Sequence, residues 1–275
     1  MKKECTVFLD NKPFSFEVLG DFFWGKDEVL YKEEDNIISK VNWTHEGYGV
    51  VDIFSEKEYL SLKNSIKKNI LKAAAESGIE VDPKVFKLEN YHQFFNTDEL
   101  HHKIISITKN LQLLDFDLDL ELIAKRLGEY LGYKLKTIVP ELKKSHVQVR
   151  ISRPKSLDIN PPHKDGYLSY WRDIINVWVP IVGCTKNSSL PVLPKSHLIK
   201  ESHILRTKSK GAQINGNTYY VPCILEVKDM KMKMVRPNPK IKQALLFTPF
   251  LIHGAAYNGN KAKTRISLEL RFPKA

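Results

Sequence analysis

Nowhere in the 275 residues is there a run of eighteen apolar side chains, so a membrane-spanning helix is excluded. Cysteine is nearly absent: Cys5, Cys184 and Cys223 are odd in number, far apart and without Cys-x-x-Cys spacing, which supports neither a disulfide framework nor a thiolate zinc site. Arginine is scarce beside lysine, eight against thirty-five, so the net charge of +11 is mostly lysine scattered along the chain. Phosphate backbones reward clustered cations through counterion release, and nucleic acid is therefore not an expected partner. Lys2 and Lys3 imitate the basic start of a signal peptide, but Thr6 to Phe16 is broken by Asp10, Asn11, Lys12 and Pro13. Export is not expected, and a cytoplasmic location is. Internal repeats and low-complexity tracts are also missing.

What is present divides at about residue 140. Short alternating segments such as Thr6-Val7-Phe8-Leu9 open the chain, and helical patterns follow. Ser55-Glu56-Lys57-Glu58 has the form of a capping box, in which the Ser55 hydroxyl and the Glu58 carboxylate each satisfy a free backbone N–H. Leu60, Leu62, Ile66 and Ile70 then trace an apolar stripe that ends at Gly78. A second helix is predicted from Asn96 or Thr97, burying Leu100, Ile104 and Leu111, and a third from about Asp119 to Leu131, stopped by Gly132. Asp115-Phe116-Asp117-Leu118-Asp119 resembles the start of a calcium loop, but Leu120 stands where glycine is required and Arg126 where glutamate is. Acidic side chains favouring a helix N-terminus account for that run better.

From Val147 the period becomes two. Val147, Val149 and Ile151 alternate with Gln148, Arg150 and Ser152, and Met230, Met232 and Met234 with Lys231 and Lys233. Proline and glycine punctuate these strands as in a jelly roll. The expected architecture is mainly β with helical additions: a double-stranded β-helix (jelly roll, cupin-like) core packed against N-terminal helices. Residues 1–275 would form a single domain, with 1–140 as a strand and helix scaffold and 141–275 as the jelly-roll segment carrying the site.

The chemistry is concentrated in His163-Lys164-Asp165 and, ninety positions later, His253. Alternation on a strand sends His163 and Asp165 to one face, where a histidine from a second strand could complete a three-ligand metal site. Two imidazoles and one carboxylate leave three coordination positions open, the arrangement of non-haem Fe(II) oxygenases. A lone His-x-Asp is a weak signal, and the strand Lys263–Phe272 strengthens it. Ile266, Leu268, Leu270 and Phe272 face one way there, and Arg265, Ser267, Glu269 and Arg271 the other.

Four segments carry a family likeness: Pro161-Pro162-His163-Lys164-Asp165, Ile175-Asn176-Val177-Trp178-Val179-Pro180-Ile181, Leu190-Pro191-Val192-Leu193-Pro194-Lys195-Ser196-His197, and Ile252-His253-Gly254-Ala255 with Arg265. Together they resemble the phytanoyl-CoA dioxygenase (PhyH)-like branch of the Fe(II)/2-oxoglutarate-dependent oxygenases. Upstream, the stretch from Gly47 to Ser55 resembles the opening strand and helix start of that family. The chain departs from the family pattern at Lys195, where glycine is usual, and at Lys242-Gln243, where Gly-Asp is usual. Both are turn positions.

The resemblance implies His163, Asp165 and His253 as iron ligands, with 2-oxoglutarate and O2 as co-substrates and succinate and CO2 as products. It implies that Arg265 grips the distal carboxylate of 2-oxoglutarate through a bidentate pair, that Ser267 adds a hydroxyl, and that the face of Asn176 and Trp178 borders the co-substrate. Related halogenases replace the carboxylate ligand with a small residue, and Asp165 argues against that outcome.

Arginine placement says more than arginine number. Seven of eight follow residue 145, and Arg150, Arg153 and Arg172 bracket the ligand pair, suggesting a small or medium-sized anionic substrate. Surface ion pairing is the competing account of the same arginines. Tyr167, Tyr170 and Trp171 are candidate aromatic walls for that substrate, or ordinary core. The segment from about Ser202 to Val221 reads as a mobile insertion able to close over it, or as a solvated loop. Two other functions remain open on the sequence: a jelly-roll binding module with a metal pocket but no turnover, and a zinc- or manganese-dependent cupin enzyme with no need of Arg265.

Overall fold

The computed structural model describes residues 1–34, 36–156, 160–214 and 216–275. Strands β1 (Lys2–Leu9), β2 (Lys12–Leu19) and β3 (Phe22–Trp24) begin the chain, and β4 (Tyr48–Asp52) follows a long loop. Helices α1 (Glu56–Glu76), α2 (Tyr91–Phe94), α3 (Asp98–Thr108) and α4 (Leu120–Leu131) come next. The remaining strands are β5 (His146–Ser152), β6 (Ile174–Val182), β7 (Ile204–Thr207), β8 (Ala212–Ile214), β9 (Asn217–Tyr219), β10 (Ile224–Val227), β11 (Lys233–Met234), β12 (Gln243–Phe247) and β13 (Arg265–Pro273).

The helix punctuation reads out as the sequence predicts. Ser55 caps α1 with its reciprocal Glu58 bond, Thr97 caps α3 through the Leu100 N–H, Asp119 caps α4 through the Leu122 N–H, and Gly132 ends α4 in the left-handed region. Three apolar positions differ: Leu100 and Leu111 are only half-buried, Leu111 lying past the end of α3, and Leu60 is exposed, the buried face of α1 running through Tyr59, Leu62, Ile66, Ile70 and Ala73. That spacing follows the 3.6-residue period, which Leu60 breaks.

Five strands form the main sheet in the order β4-β12-β6-β13-β5, every pair antiparallel. One face is the core. Ile266, Leu268, Leu270 and Phe272 join Val147, Val149 and Ile151 and the inward residues of α1 and α4 in a single buried cluster. Each such side chain contributes about 1.5–3 kcal/mol when fully removed from water. The Tyr59 hydroxyl, on α1, donates to the Ile181 carbonyl at 2.6 Å and ties the helix layer to β6. All nine residues of β6 are buried, as expected of a central strand covered on both faces.

Two further sheets are assembled from distant parts of the chain: β11-β1-β2-β8-β9 and β10-β7-β3. Strands from before residue 140 thus pair with strands from after it in every sheet, since β4 lies beside β12, β1 beside β11, β2 beside β8 and β3 beside β7. Of the Met230–Met234 alternation, Met230 forms an isolated bridge to Val227 and Lys233–Met234 pairs alongside β1, with Lys231 and Met232 in neither strand. The segment expected to be a mobile insertion contains β7 and the β8–β9 hairpin, with Ala212 and Ile214 buried, and Asn215 lies outside the described residues. Among the described residues, no helix is long and apolar enough to cross a membrane.

Lys195 and Lys242, the two departures from the family pattern, have φ of 63° and 74°. Both occupy the left-handed region that a glycine would take without strain.

Candidate metal centre

Two chain segments meet at the site through reciprocal backbone hydrogen bonds. The His163 N–H donates to the His253 carbonyl at 2.9 Å, and the His253 N–H to the His163 carbonyl at 3.0 Å. This pairing sets the two imidazoles side by side, with ring centroids 4.3 Å apart. Asp165 begins a short 3-10 turn whose Gly166 N–H donates to Pro249 at 2.9 Å. A Cβ at Gly166 would come within 2.7 Å of the Phe250 ring, and one at Gly254, where φ is 118°, within 2.4 Å of the Pro161 carbonyl. Each ligand segment therefore carries a glycine where the backbone has no room for a side chain.

His163, Asp165 and His253 each offer one ligand atom, and these atoms lie within 4.8 Å of one another, all three residues being buried. His163 Nε2 is 3.5 Å from Asp165 Oδ1, and His253 Nε2 is 3.7 Å from Oδ2. Each imidazole has Nδ1 beside the carbonyl two residues earlier, at 2.7 Å for His163 to Pro161 and 3.0 Å for His253 to Leu251. Since a carbonyl only accepts, Nδ1 must carry the proton, which leaves the Nε2 lone pairs aimed at the carboxylate. Burial, then the neighbouring His163, lower the His253 pKa to about 4, which keeps that ring neutral and able to ligate at neutral pH. Burial alone would raise Asp165, but Arg271, His253 and His163 together hold it well below the ordinary carboxylate range.

A cavity of about 440 Å³ opens onto His163, His253 and Arg265. Arg265 is buried, donating from Nη1 to Ser267 Oγ at 3.1 Å and from Nη2 to the Ala256 carbonyl at 3.1 Å. Ser267 touches Arg265 and does not line the cavity itself. The register of β6 against β13 sets Asn176 opposite Arg271 and Trp178 opposite Glu269, so both share the polar face. Neither is a lining residue: Asn176 Oδ1 accepts from Arg271 Nε at 3.0 Å, and Trp178 packs with Leu190, Val192 and Phe247. Asn176 Nδ2 and Trp178 Nε1 are buried donors with no acceptor among the described residues, a polarity that a bound polar group would satisfy.

The proposed substrate contacts fall in different places. Arg150 lines the cavity and pairs with Glu269 at 3.0 Å. Arg153 is buried against Asp98 at the start of α3, at 2.6 Å, and Arg172 donates to the Gly166 carbonyl at 3.1 Å. Tyr167 lies under the Arg206 guanidinium, Tyr170 against Trp171, and Trp171 beneath the Arg271 guanidinium. The structure does not bring Arg153, Arg172, Tyr167, Tyr170 or Trp171 to the cavity wall, because each is already engaged in holding the Asp165–Asp173 loop or α3. Lys164, between the two ligands, points the other way into a buried ion pair with Glu201 at 2.8 Å.

Several lining residues escape a sequence reading. His101, His102 and Lys109 reach the cavity from α3, and Asn217, Thr218 and Tyr219 from the β8–β9 hairpin. No local pattern marks them, since their place depends on how α3 and the hairpin pack. Glu269 and Arg271 also line it, and for these a signal existed: strand alternation already put them on the face of Arg265.

No family model matches the chain, and no curated protein does. Solved structures with some likeness include AviO1 from Streptomyces viridochromogenes Tue57, 12% identical with a TM-score of 0.47 over 91% of this chain and 96% of that one. EctD from S. alaskensis with 2-oxoglutarate and 5-hydroxyectoine is 19% identical, with a TM-score of 0.46 over 92% and 84%. The epimerase SnoN in complex with Fe3+, alpha ketoglutarate and nogalamycin RO is 13% identical, with a TM-score of 0.45 over 85% and 81%. With scores and identities this low, the likeness fixes neither reaction nor substrate.

Proposed function

We propose that this protein is an Fe(II)/2-oxoglutarate-dependent oxygenase that hydroxylates a C–H bond of a small or medium-sized polar, anionic metabolite. Its 275 residues would form one domain built on a double-stranded β-helix. The observation that carries the reading is the buried donor set: two imidazoles with Nδ1 committed to backbone carbonyls, one ionised carboxylate, and Arg265 on the same cavity.

Iron with 2-oxoglutarate and O2 supplies an oxidant for unactivated C–H bonds, releasing succinate and CO2. His163, Asp165 and His253 would hold the metal on one side only, leaving the cavity side for exchangeable ligands. Arg265 is pre-positioned by Ser267 and Ala256 to take the distal carboxylate of the co-substrate. Lys109 and Arg150, the latter shared with Glu269, put cations on the cavity wall, which supports an anionic substrate. Both histidines are 5% exposed, so little of either ring meets solvent.

Anaerobic addition of Fe(II) and 2-oxoglutarate should produce a visible metal-to-ligand charge-transfer band. Arg265→Gln should weaken 2-oxoglutarate binding on the order of 10–100-fold, the worth of a charge-assisted hydrogen bond. A folded protein that binds metal but shows no band would overturn the oxygenase reading in favour of a cupin using another metal or a binding module.

A further inference from the structure

Arg271 lies where no ligand role is assigned. Its Nη2 donates to both oxygens of Asp165, at 3.0 Å each. Three contacts fix that aim: Nε donates to Asn176 Oδ1 at 3.0 Å, the guanidinium carbon sits 4.2 Å from the Trp171 ring centroid, and β13 is paired on both sides at this residue, with His146 and Asn176. The side chain is 11% exposed and borders the metal cavity.

Stability alone is a poor account of so constrained a pair. Replacing a buried ion pair with well-packed apolar residues is often neutral or favourable, so such pairs are weak evidence of a stabilising role. The geometry suits a different task. A free carboxylate can chelate a metal through both oxygens and so occupy two positions. A guanidinium nitrogen shared between the two oxygens stays on one of them when the other turns to a metal.

We propose that Arg271 is a positioning residue that holds Asp165 as a monodentate metal ligand, keeping the remaining coordination positions open for co-substrate. The proposal rests on the metal-centre reading above, not on turnover. Asn176 and Trp171 act through it, the first by anchoring Nε and the second by supporting the guanidinium plane.

The test uses Co(II) as a spectroscopic probe of the apoprotein, with Arg271→Gln, Arg271→Lys and Asn176→Leu compared with the unaltered chain. Loss of an outer-shell partner typically costs 10–100-fold in metal affinity. Arg271→Gln should weaken Co(II) by that factor and alter its d–d spectrum as the carboxylate becomes bidentate. With Fe(II), it should also weaken 2-oxoglutarate binding beyond the loss in metal affinity. Arg271→Lys, with the charge but no planar fork, should fall between, and Asn176→Leu should shift the spectrum less while leaving Arg271 in place. Unchanged Co(II) affinity and spectrum in folded Arg271→Gln would overturn the proposal, as would failure of the unaltered protein to bind Co(II). Should Arg271→Gln not fold, a Co(II) spectrum unchanged in both other variants would overturn it equally. Normal Co(II) binding without a charge-transfer band for Fe(II) and 2-oxoglutarate would sink the oxygenase reading and leave the Arg271 result readable.

Discussion

The two faces of β13 are built on opposite principles. Ile266, Leu268, Leu270 and Phe272 point into the helix-covered core, where their partners are other aliphatic side chains. On the other face, one step along the same backbone, Arg265 and Ser267 are buried and the charged Glu269 and Arg271 half-buried. Burying an isolated charge is costly, so charges on the second face meet groups of opposite sign from other segments. Asp165 meets Arg271, and Glu269 meets Arg150. Core residues fill volume and tolerate exchange among themselves, whereas each polar residue has a named partner that its loss would strand.

The sharpest way to break the comparison is to remove a proposed metal ligand beside the polar face and a residue of the core face. His253→Ala should abolish Fe(II) binding and 2-oxoglutarate turnover while leaving urea stability of the apoprotein near that of the unaltered chain. Leu268→Ala, by contrast, should cost about 2–5 kcal/mol of stability through lost burial and a residual cavity, with metal affinity of the folded fraction retained. Calorimetric metal titration and urea denaturation on both variants check this. Unfolding in the first, or loss of metal binding by folded molecules of the second, would show that the two faces are not separable.

How much of this was legible in the sequence follows from the range of each signal. Capping at Ser55, Thr97, Asp119 and Gly132 is local chemistry and reads directly. The alternation of β13 and β5 is equally local. The three ligands were legible as candidates because alternation would put His163 and Asp165 on one face and His253 sits in a segment with the family likeness; the structure places His163 in a bridge and Asp165 at the start of a 3-10 turn, and still brings the donor atoms within 4.8 Å. Arg153 and Arg172 are sequence neighbours of the site, yet their side chains go to Asp98 and the Gly166 carbonyl, a choice made by the packing of α3 and the Asp165 turn. Lys109 and Thr218 reach the cavity from elements more than forty residues away from either histidine ligand or from a hairpin read as a loop. Long-range packing placed them, and nothing in a window of sequence encodes that.

A smaller effect sharpens the account of the charged face. Burial alone would raise the Glu269 pKa, but Arg150 and Arg271 outweigh it and hold the group below its usual value. Its contribution is therefore present above the unfolded pKa of about 4.5 and is lost as pH falls through the lower folded value. Glu269→Gln should cost roughly 2–3 kcal/mol at pH 7, less than the ~3–5 kcal/mol of a fully buried pair because of solvent screening at Arg150, whose side chain is 30% exposed. The gap between variant and unaltered protein should begin to narrow as pH falls below about 4.5 and close once pH passes the lower folded value, where Glu269 itself becomes neutral. A gap independent of pH in urea titrations would mean that the glutamate acts by shape and not by charge.

The smallest expected effect lies in the turn behind the site. Lys195 sits at φ 63°, which costs an L-residue about 1–2 kcal/mol, whereas glycine would add back ~0.5–1 kcal/mol in unfolded-state entropy. Its ion pair with Glu46 joins side chains 53% and 42% exposed and adds little. Lys195→Gly should therefore raise urea stability by about 0.5 kcal/mol, while Lys195→Ala, which loses the ion pair and keeps the strain, should not. The same turn presents Ser196 Oγ to the Ile252 N–H at 2.8 Å, one residue before the His253 ligand. If its backbone is merely strained, metal affinity will be identical in both variants; a loss of affinity in the relaxed glycine variant would mean that the strain itself seats His253.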